Sequence, residues 1–153
     1  MTTQALKEQT GRAGEFLAAY ILESNGVECH RVDRRGDDLW CKLPNGRLVT
    51  IQVKAATKAL IPKKGKPEAK RSSYYRFHTG TLCKADWYIF VALDLELIRL
   101  MPASEVNSSG ANLPPHSFNP QAQAADLAVF LSKEPVVLCS HCQTAICTQS
   151  HHL

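Results

Sequence analysis

The stretch Arg47-Leu48-Val49-Thr50-Ile51-Gln52-Val53-Lys54-Ala55 decides how this chain is expected to fold. Its alternation of apolar and polar residues predicts a β-strand with one buried face. Because side chains two residues apart share a face of a strand, Gln52 and Lys54 point together to one side, while Ile51 and Val53 are buried on the other. The strand therefore presents an amide oxygen, a ligand type for hard cations, beside a lysine amine.

The segment Pro44-Asn45-Gly46 before this strand predicts a hairpin, since Asn-Gly readily takes the positive φ angles of tight turns. Asp37 and Asp38 open the preceding strand, and the loop length decides which of them shares the face of Lys54. A two-residue loop places Asp37 opposite Lys54 and turns Asp38 to the other face. A three-residue loop, or a bulge, brings Asp38 round instead. The turn sequence leaves both registers open.

Apolar periodicity and turn residues place the remaining elements. The run from Trp87 to Leu93 is apolar throughout, which is typical of a central buried strand. Asn119 and Pro120 supply an N-cap and a first-turn proline for the last helix. The predicted elements are helices at about 6–24 and 121–132, strands at about 27–32, 38–43, 48–55, 87–93 and 97–101, a short strand or an extended loop edge at about 74–78, and a loop over about 107–120. This order predicts an α/β or α+β domain with a mixed central sheet.

The bulk composition limits the class of protein. A chain of 153 residues is long enough for one domain with a substantial core and a short tail. The sequence contains no run of about 18 apolar residues, so it predicts no membrane span. No membrane partner is therefore expected. The first residues lack an apolar signal core. The six cysteines are therefore expected to be reduced thiols of a cytoplasmic protein rather than a disulfide framework.

Several short motifs together resemble one family. Gly14-Glu15 on the first helix, Gly36-Asp37-Asp38-Leu39-Trp40, and Ile51-Gln52-Val53-Lys54-Ala55 resemble the PD-(D/E)xK nuclease superfamily. More narrowly, they resemble its Holliday-junction-resolvase-like members and the group I intron-associated endonucleases. Asp86-Trp87-Tyr88-Ile89-Phe90-Val91 is similar to the next core strand of that family. The resemblance implies an α/β, restriction-endonuclease-like fold, with a mixed central β-sheet flanked by helices, in a domain of residues 1–135.

The resemblance also implies a reaction, the metal-dependent hydrolysis of phosphodiester bonds in DNA, with Mg²⁺ or Mn²⁺ as cofactor. Asp38 would be the principal metal ligand, because the family places its acid directly before the apolar strand residues; Asp37 stays an alternative. Gln52 would add an amide oxygen, and Glu15 would bind the metal directly or through water. Lys54 would orient the attacking water and stabilise charge on the phosphoryl group. Most relatives have an acid where this chain has Gln52, which removes one negative charge from the site.

A basic segment suits DNA as the partner. The net charge is +4, and residues 58–71 contain six basic residues against the single acid Glu68. A solvated loop is the alternative interpretation of such a run. The cations expected to contact phosphates are Arg34, Arg35, Lys58, Lys63, Lys64, Lys66, Lys70 and Arg71. A homodimer is one way to cut both strands symmetrically, although no residue in the sequence identifies an interface.

Two other functions remain candidates. A nuclease-like fold could bind DNA without cutting it, and Gln52 is the feature that favours this. An enzyme with a cysteine nucleophile is the weaker alternative, since Cys29, Cys41 and Cys83 lack a paired histidine in a motif.

The final residues, 136–153, form a separate Cys/His-rich tail. Cys139, Cys142, Cys147 and either His151 or His152 have a spacing compatible with a tetrahedral zinc site, and His141 is a further candidate ligand. A tail that binds no metal is the alternative. A zinc ion there would be structural rather than catalytic.

Overall fold

The computed structural model describes residues 2–34, 36–62, 72–80 and 84–132. Within these ranges, seven strands lie between a first and a last α-helix. The helices are α1 (Thr3–Glu23) and α2 (Pro120–Ser132), and the strands are β1 (Glu28–Arg34), β2 (Asp37–Lys42), β3 (Leu48–Ala56), β4 (Tyr75–Phe77), β5 (Trp87–Ala92), β6 (Leu97–Pro102) and β7 (Ala111–Leu113). Five strands form a sheet in the order β1-β2-β3-β5-β6, in which β3 and β5 are parallel and the other neighbours antiparallel. The predicted mixed α/β sheet is confirmed.

The two faces of the sheet cover two different cores, because the side chains of β5 alternate between them. One face of β5 packs with Ile51 and Val53 of β3 against both helices, through residues such as Leu22 of α1 and Phe130 of α2. The other face of β5 belongs to an aromatic cluster of Tyr75, Phe77, Tyr88, Phe90, Ala92 and Phe118. All six residues of β5 are buried, as the apolar run predicts.

Helix α1 begins earlier than its apolar repeat predicts. The Thr2 side chain caps it by accepting a hydrogen bond from the Ala5 backbone N–H. At the other end Gly26 has a φ of +80°, the left-handed conformation that ends many helices. Within α1, Gly14 faces β3 so closely that a Cβ atom there would overlap the Cβ of Ala55. Gly14 therefore sets how closely the helix approaches the sheet.

The β2–β3 hairpin has the three-residue loop. Lys42 pairs with Leu48, and Leu43 N–H donates to Arg47 C=O at 2.8 Å, so the loop is Pro44-Asn45-Gly46. Gly46 adopts a φ of +83° in this turn. The same register pairs Leu39 with Ile51, and its next step brings Asp38 opposite Gln52. Asp38, not Asp37, therefore lies on the same face of the sheet as Gln52.

One predicted loop contains regular structure. Within residues 107–120, β7 pairs antiparallel with β4, and Pro115–Ser117 forms a short 3₁₀ helix. Asn119 caps α2 as predicted, because its Oδ1 accepts a hydrogen bond from Ala122 N–H at 2.8 Å. No helix in the described ranges is long and apolar enough to cross a membrane. The predicted Cys/His tail, residues 136–153, lies outside the described residues.

Candidate functional site

The Asp38 carboxylate lies where β2 meets β3. Its Oδ2 atom accepts a hydrogen bond from the Val53 backbone N–H at 2.7 Å and another from Gln52 Nε2 at 2.5 Å. Both side chains are half-buried. The three-residue turn is the local cause of this arrangement, because it sets the register that brings Asp38 to Gln52. One oxygen of Asp38 is thus held in place by the neighbouring strand.

Burial raises the pKa of Asp38 above its ordinary value, and the negative charge of Glu15 adds to this increase. The Val53 hydrogen bond, the positive charge of Lys54 and the Gln52 hydrogen bond act in the opposite direction. Glu15 and Lys54 therefore both act electrostatically on Asp38. Asp38 thus contacts Gln52 directly and lines one cavity with Glu15, while the positive charge of Lys54 affects its pKa.

Glu15 comes to the site from helix α1 and is held there by an arginine. Its Oε2 accepts hydrogen bonds from Arg31 Nε at 3.0 Å and Arg31 Nη2 at 2.6 Å. The same guanidinium lies 4.3 Å from the centre of the Phe16 ring. Because Gly14 brings α1 close to β3, Glu15, the next residue, is fixed relative to the hairpin that contains Asp38.

Lys54 lies two residues beyond Gln52 on β3 and is half-buried. Across the parallel pair Gln52 is opposite Tyr88, and Lys54 is opposite Phe90. Both aromatic side chains are buried in the second core. The predicted alternation of β3 is confirmed, since Ile51 is 0% and Val53 7% exposed on the other face.

Asp38 and Glu15 place two carboxylates on the wall of one cavity. Mg²⁺ in proteins is commonly held by one or two carboxylates and several waters, and Asp38 and Glu15 provide two. No group of three or more His, Cys, Asp or Glu side chains with metal-binding geometry occurs in the described part of the chain. Gln52 points its Nε2 toward Asp38, so its predicted role as an oxygen ligand requires a 180° rotation of the amide, which exchanges N and O.

Asp37 is buried beside Trp40. It is 9% exposed, and its Oδ2 accepts a hydrogen bond from Trp40 Nε1 at 3.3 Å. Cys29 and Cys41 are opposite each other across the β1–β2 pair and form no disulfide. Their thiols are hydrogen-bonded, with the Sγ atoms 3.2 Å apart. Cys83, the third candidate nucleophile, lies outside the described residues.

Sequence reasoning missed two arginines beside Asp38. Arg12 and Arg31 line a cavity of about 430 Å³ together with Glu15, Val32, Arg34 and Asp38. The spacing of Arg12 and Glu15, three residues apart on a helix, puts both on one face and could have identified Arg12. Arg31 had no such signal, because its ion pair with Glu15 joins residues that are far apart in sequence.

The predicted DNA contacts are only partly within the described residues. Lys58 is exposed shortly after the end of β3, and Arg34 is exposed at the end of β1. The predicted residues that lie outside the described ranges are Arg35, then Lys63, Lys64, Lys66, Lys70 and Arg71 in the basic segment, and Cys139, Cys142, Cys147 and His151 in the tail.

Comparisons with known proteins place the fold. No protein-family model matches the chain, and no curated protein matches it in sequence. Among solved structures, the chain is similar to a bacterial homing endonuclease, I-Ssp6803I, with a TM-score of 0.55, 15% identity, and coverage of 84% of this chain and 98% of that one. At this identity the likeness concerns the fold alone. The chain thus has a nuclease-like α/β fold, built on a mixed five-stranded sheet.

Proposed function

We propose that this chain is a metal-dependent DNA endonuclease that hydrolyses phosphodiester bonds, in the manner of homing endonucleases and resolvases. One observation supports it above all: Asp38 is held against Gln52 and Val53 by the hairpin register. Glu15 and Lys54 act electrostatically on the same carboxylate. The likeness in fold to a homing endonuclease, and the resemblance of the motifs to the PD-(D/E)xK superfamily, favour this chemistry over other uses of such a site.

The proposed roles follow from the contacts. Asp38 and Glu15 would hold Mg²⁺ or Mn²⁺, which would supply a Lewis acid for the phosphoryl oxygens and a more acidic water. The Val53 N–H fixes the orientation of Asp38, and Gln52 either supports Asp38 as a donor or presents its amide oxygen to the ion. Lys54 stabilises the negative charge that develops on the phosphoryl group. DNA is the substrate, and cleavage of both strands would use two copies of the chain.

The raised pKa of Asp38 has a consequence for activity. A bound divalent cation favours the charged carboxylate, so that the cation and a proton compete for Asp38. Cleavage should therefore decline on the acid side, and a higher Mg²⁺ concentration should shift this decline to lower pH.

The test is cleavage of plasmid, branched and junction DNA by the purified chain with Mg²⁺ or Mn²⁺, and with EDTA. Wild-type protein should cut at least one substrate only when the metal is present. Lys54→Ala should lose about 100-fold or more in rate, the usual effect of removing one group that stabilises the transition state. Lys42→Ala is the matched control, because Lys42 is exposed at the far end of β2. Equal rates for Lys54→Ala and wild type, or no cleavage of any substrate, would reject the proposal.

A second function is favoured by the Gln52 amide, which donates to Asp38 and lacks the negative charge of an acidic ligand. Under this alternative the chain is a DNA-binding module on a nuclease fold that does not cleave, with a zinc-binding tail as a further contact. Its signature is salt-dependent DNA binding in EDTA together with no metal-dependent cleavage. Tight Mn²⁺ binding that requires Asp38 would argue against it.

A further inference from the structure

Among the side chains that the structure describes, the cavity beside Asp38 is lined by more cations than acids. It has a volume of about 430 Å³ and is formed by Arg12, Glu15, Arg31, Val32, Arg34 and Asp38. Three arginines thus line the cavity with two carboxylates, both of which are metal ligands in the proposed site. Such a cavity attracts an anion rather than a neutral molecule.

An irregularity in β1 brings two of these arginines together. In a regular strand, residues three positions apart point to opposite faces. The pairing of β1 with β2 shifts register between Arg31 and Arg34, and both residues line the same cavity. Bulges of this kind redirect side chains and are common next to active sites. Arg12 joins them from α1, three residues before Glu15, on the same face of the helix.

The three arginines differ in how far they are neutralised. The charge of Arg31 is neutralised by Glu15, whose Oε2 accepts two hydrogen bonds from the guanidinium group. Arg34 is exposed and lies 5.9 Å from the centre of the Trp40 ring. Arg12 is also exposed, and among the side chains that the structure describes neither Arg12 nor Arg34 forms an ion pair with an acid. These two guanidinium groups are therefore available to an incoming anion.

We propose that this cavity binds a backbone phosphate of the nucleic acid, adjacent to the phosphate that is cut, with Arg12 and Arg34 as its ligands. The inference rests on the proposed function for the identity of the ligand as DNA. Guanidinium groups match phosphate oxygens in pairs of parallel hydrogen bonds. Asp38 lies between the cavity on one side and Gln52 on the other, so a strand that crosses Asp38 presents its next phosphate to the arginines. The contact fixes the position of the strand and does not read its sequence.

The test is the salt dependence of DNA binding in EDTA, where no metal-dependent cleavage takes place. Each phosphate neutralised contributes about −0.9 to the slope of log affinity against log salt for duplex DNA. The double variant Arg12→Ala/Arg34→Ala should therefore have a slope that is less steep by about one. Lys42→Ala/Arg76→Ala is the control, because it removes two exposed cations that do not line the cavity; it should leave the slope at the wild-type value. Urea unfolding of both variants verifies that they fold.

The outcomes separate this inference from the nuclease proposal. A less steep slope in the arginine variant, without any metal-dependent cleavage by wild type, would reject the nuclease and support the phosphate site. Cleavage by wild type together with an unchanged slope in the arginine variant would support the nuclease and overturn the phosphate site. An equal loss of slope in the control variant, or no DNA binding by wild type, would also overturn it.

Discussion

Replacing Gly14 by alanine should destabilise the protein by forcing α1 away from the sheet. A Cβ atom at Gly14 would overlap the Cβ of Ala55, while its contacts with Ala55 Cα at 3.6 Å and Val53 Cγ1 at 3.7 Å would be ordinary. Carbon atoms normally approach to about 3.5–4.0 Å. Both Cβ positions are fixed by backbone, so no side-chain rotation relieves the overlap. Overpacking of this kind typically costs about 1–3 kcal/mol.

The chain contains a matched control in the same helix. Gly11 has no atom within 4 Å of its would-be Cβ, so Gly11→Ala brings only the gain in helix propensity, at most about 1 kcal/mol. Gly14→Ala brings the same gain, which cancels when the two variants are compared. Gly14→Ala should therefore have a free energy of unfolding about 1–3 kcal/mol below that of Gly11→Ala. The corresponding gap in melting temperature is about 2–4 °C for each kcal/mol.

Urea and thermal unfolding measure the difference, and Ala55→Gly identifies its cause. Glycine in a strand costs about 0.5–1 kcal/mol by itself, but in the Gly14→Ala background it removes the overlap. The double variant should then lose less unfolding free energy than the two single variants lose together, and the difference should be about 0.5–3 kcal/mol. If Gly14→Ala and Gly11→Ala were equally stable, or if the two substitutions were additive, the proposed close approach of α1 to β3 would be refuted.

Three further predictions concern charge. The folded pKa of Asp38 is raised above the ordinary 3.8, so the folded state binds its proton more tightly than the unfolded chain. The unfolding free energy of metal-free wild type, measured in urea relative to that of Asp38→Asn, should therefore fall as pH rises from about 4 through the folded pKa. A rise in the stability of wild type relative to Asp38→Asn over this range would contradict the prediction. Asp126→Ala removes the hydrogen-bond acceptor of Arg99 Nε at 2.6 Å and of Leu100 N–H at 3.0 Å. Urea unfolding should show a free energy of unfolding lower by about 2–3 kcal/mol. A loss as small as that of exposed Glu105→Ala would show that this contact does not stabilise α2. Gln52→Glu restores an acidic ligand and should tighten Mn²⁺ binding in calorimetry; unchanged affinity would exclude residue 52 from the metal site.

The sequence predicts most of the sheet because its strands have clear local signals. The alternation around Gln52 and Lys54 and the apolar run of β5 both indicate strands, and the structure confirms them. Pro44-Asn45-Gly46 predicts the hairpin, yet its length depends on whether Leu43 pairs with Arg47, which the turn residues do not specify. The resemblance to a nuclease family, rather than the turn, is what favours Asp38 in advance.

The features that escaped prediction depend on tertiary contacts. β7 has only three residues, too few for a periodic pattern, and it is a strand because it pairs with β4 beside the aromatic cluster. The cavity depends on the irregularity between Arg31 and Arg34, where no glycine or proline gives a local signal. The ion pair between Arg31 and Glu15 joins residues that are far apart in sequence, so only the packed structure reveals it.

The central claim is that the hairpin register makes Asp38, and not its neighbour, the acid of the site. Comparing metal-dependent DNA cleavage by Asp38→Asn and Asp37→Asn tests it most directly, because the two variants make the same substitution one residue apart. Asp38→Asn should lose about 100-fold or more in rate. Asp37→Asn keeps an oxygen for Trp40 Nε1 and should cut at close to the wild-type rate. Loss of cleavage in Asp37→Asn with normal cleavage in Asp38→Asn would contradict the account.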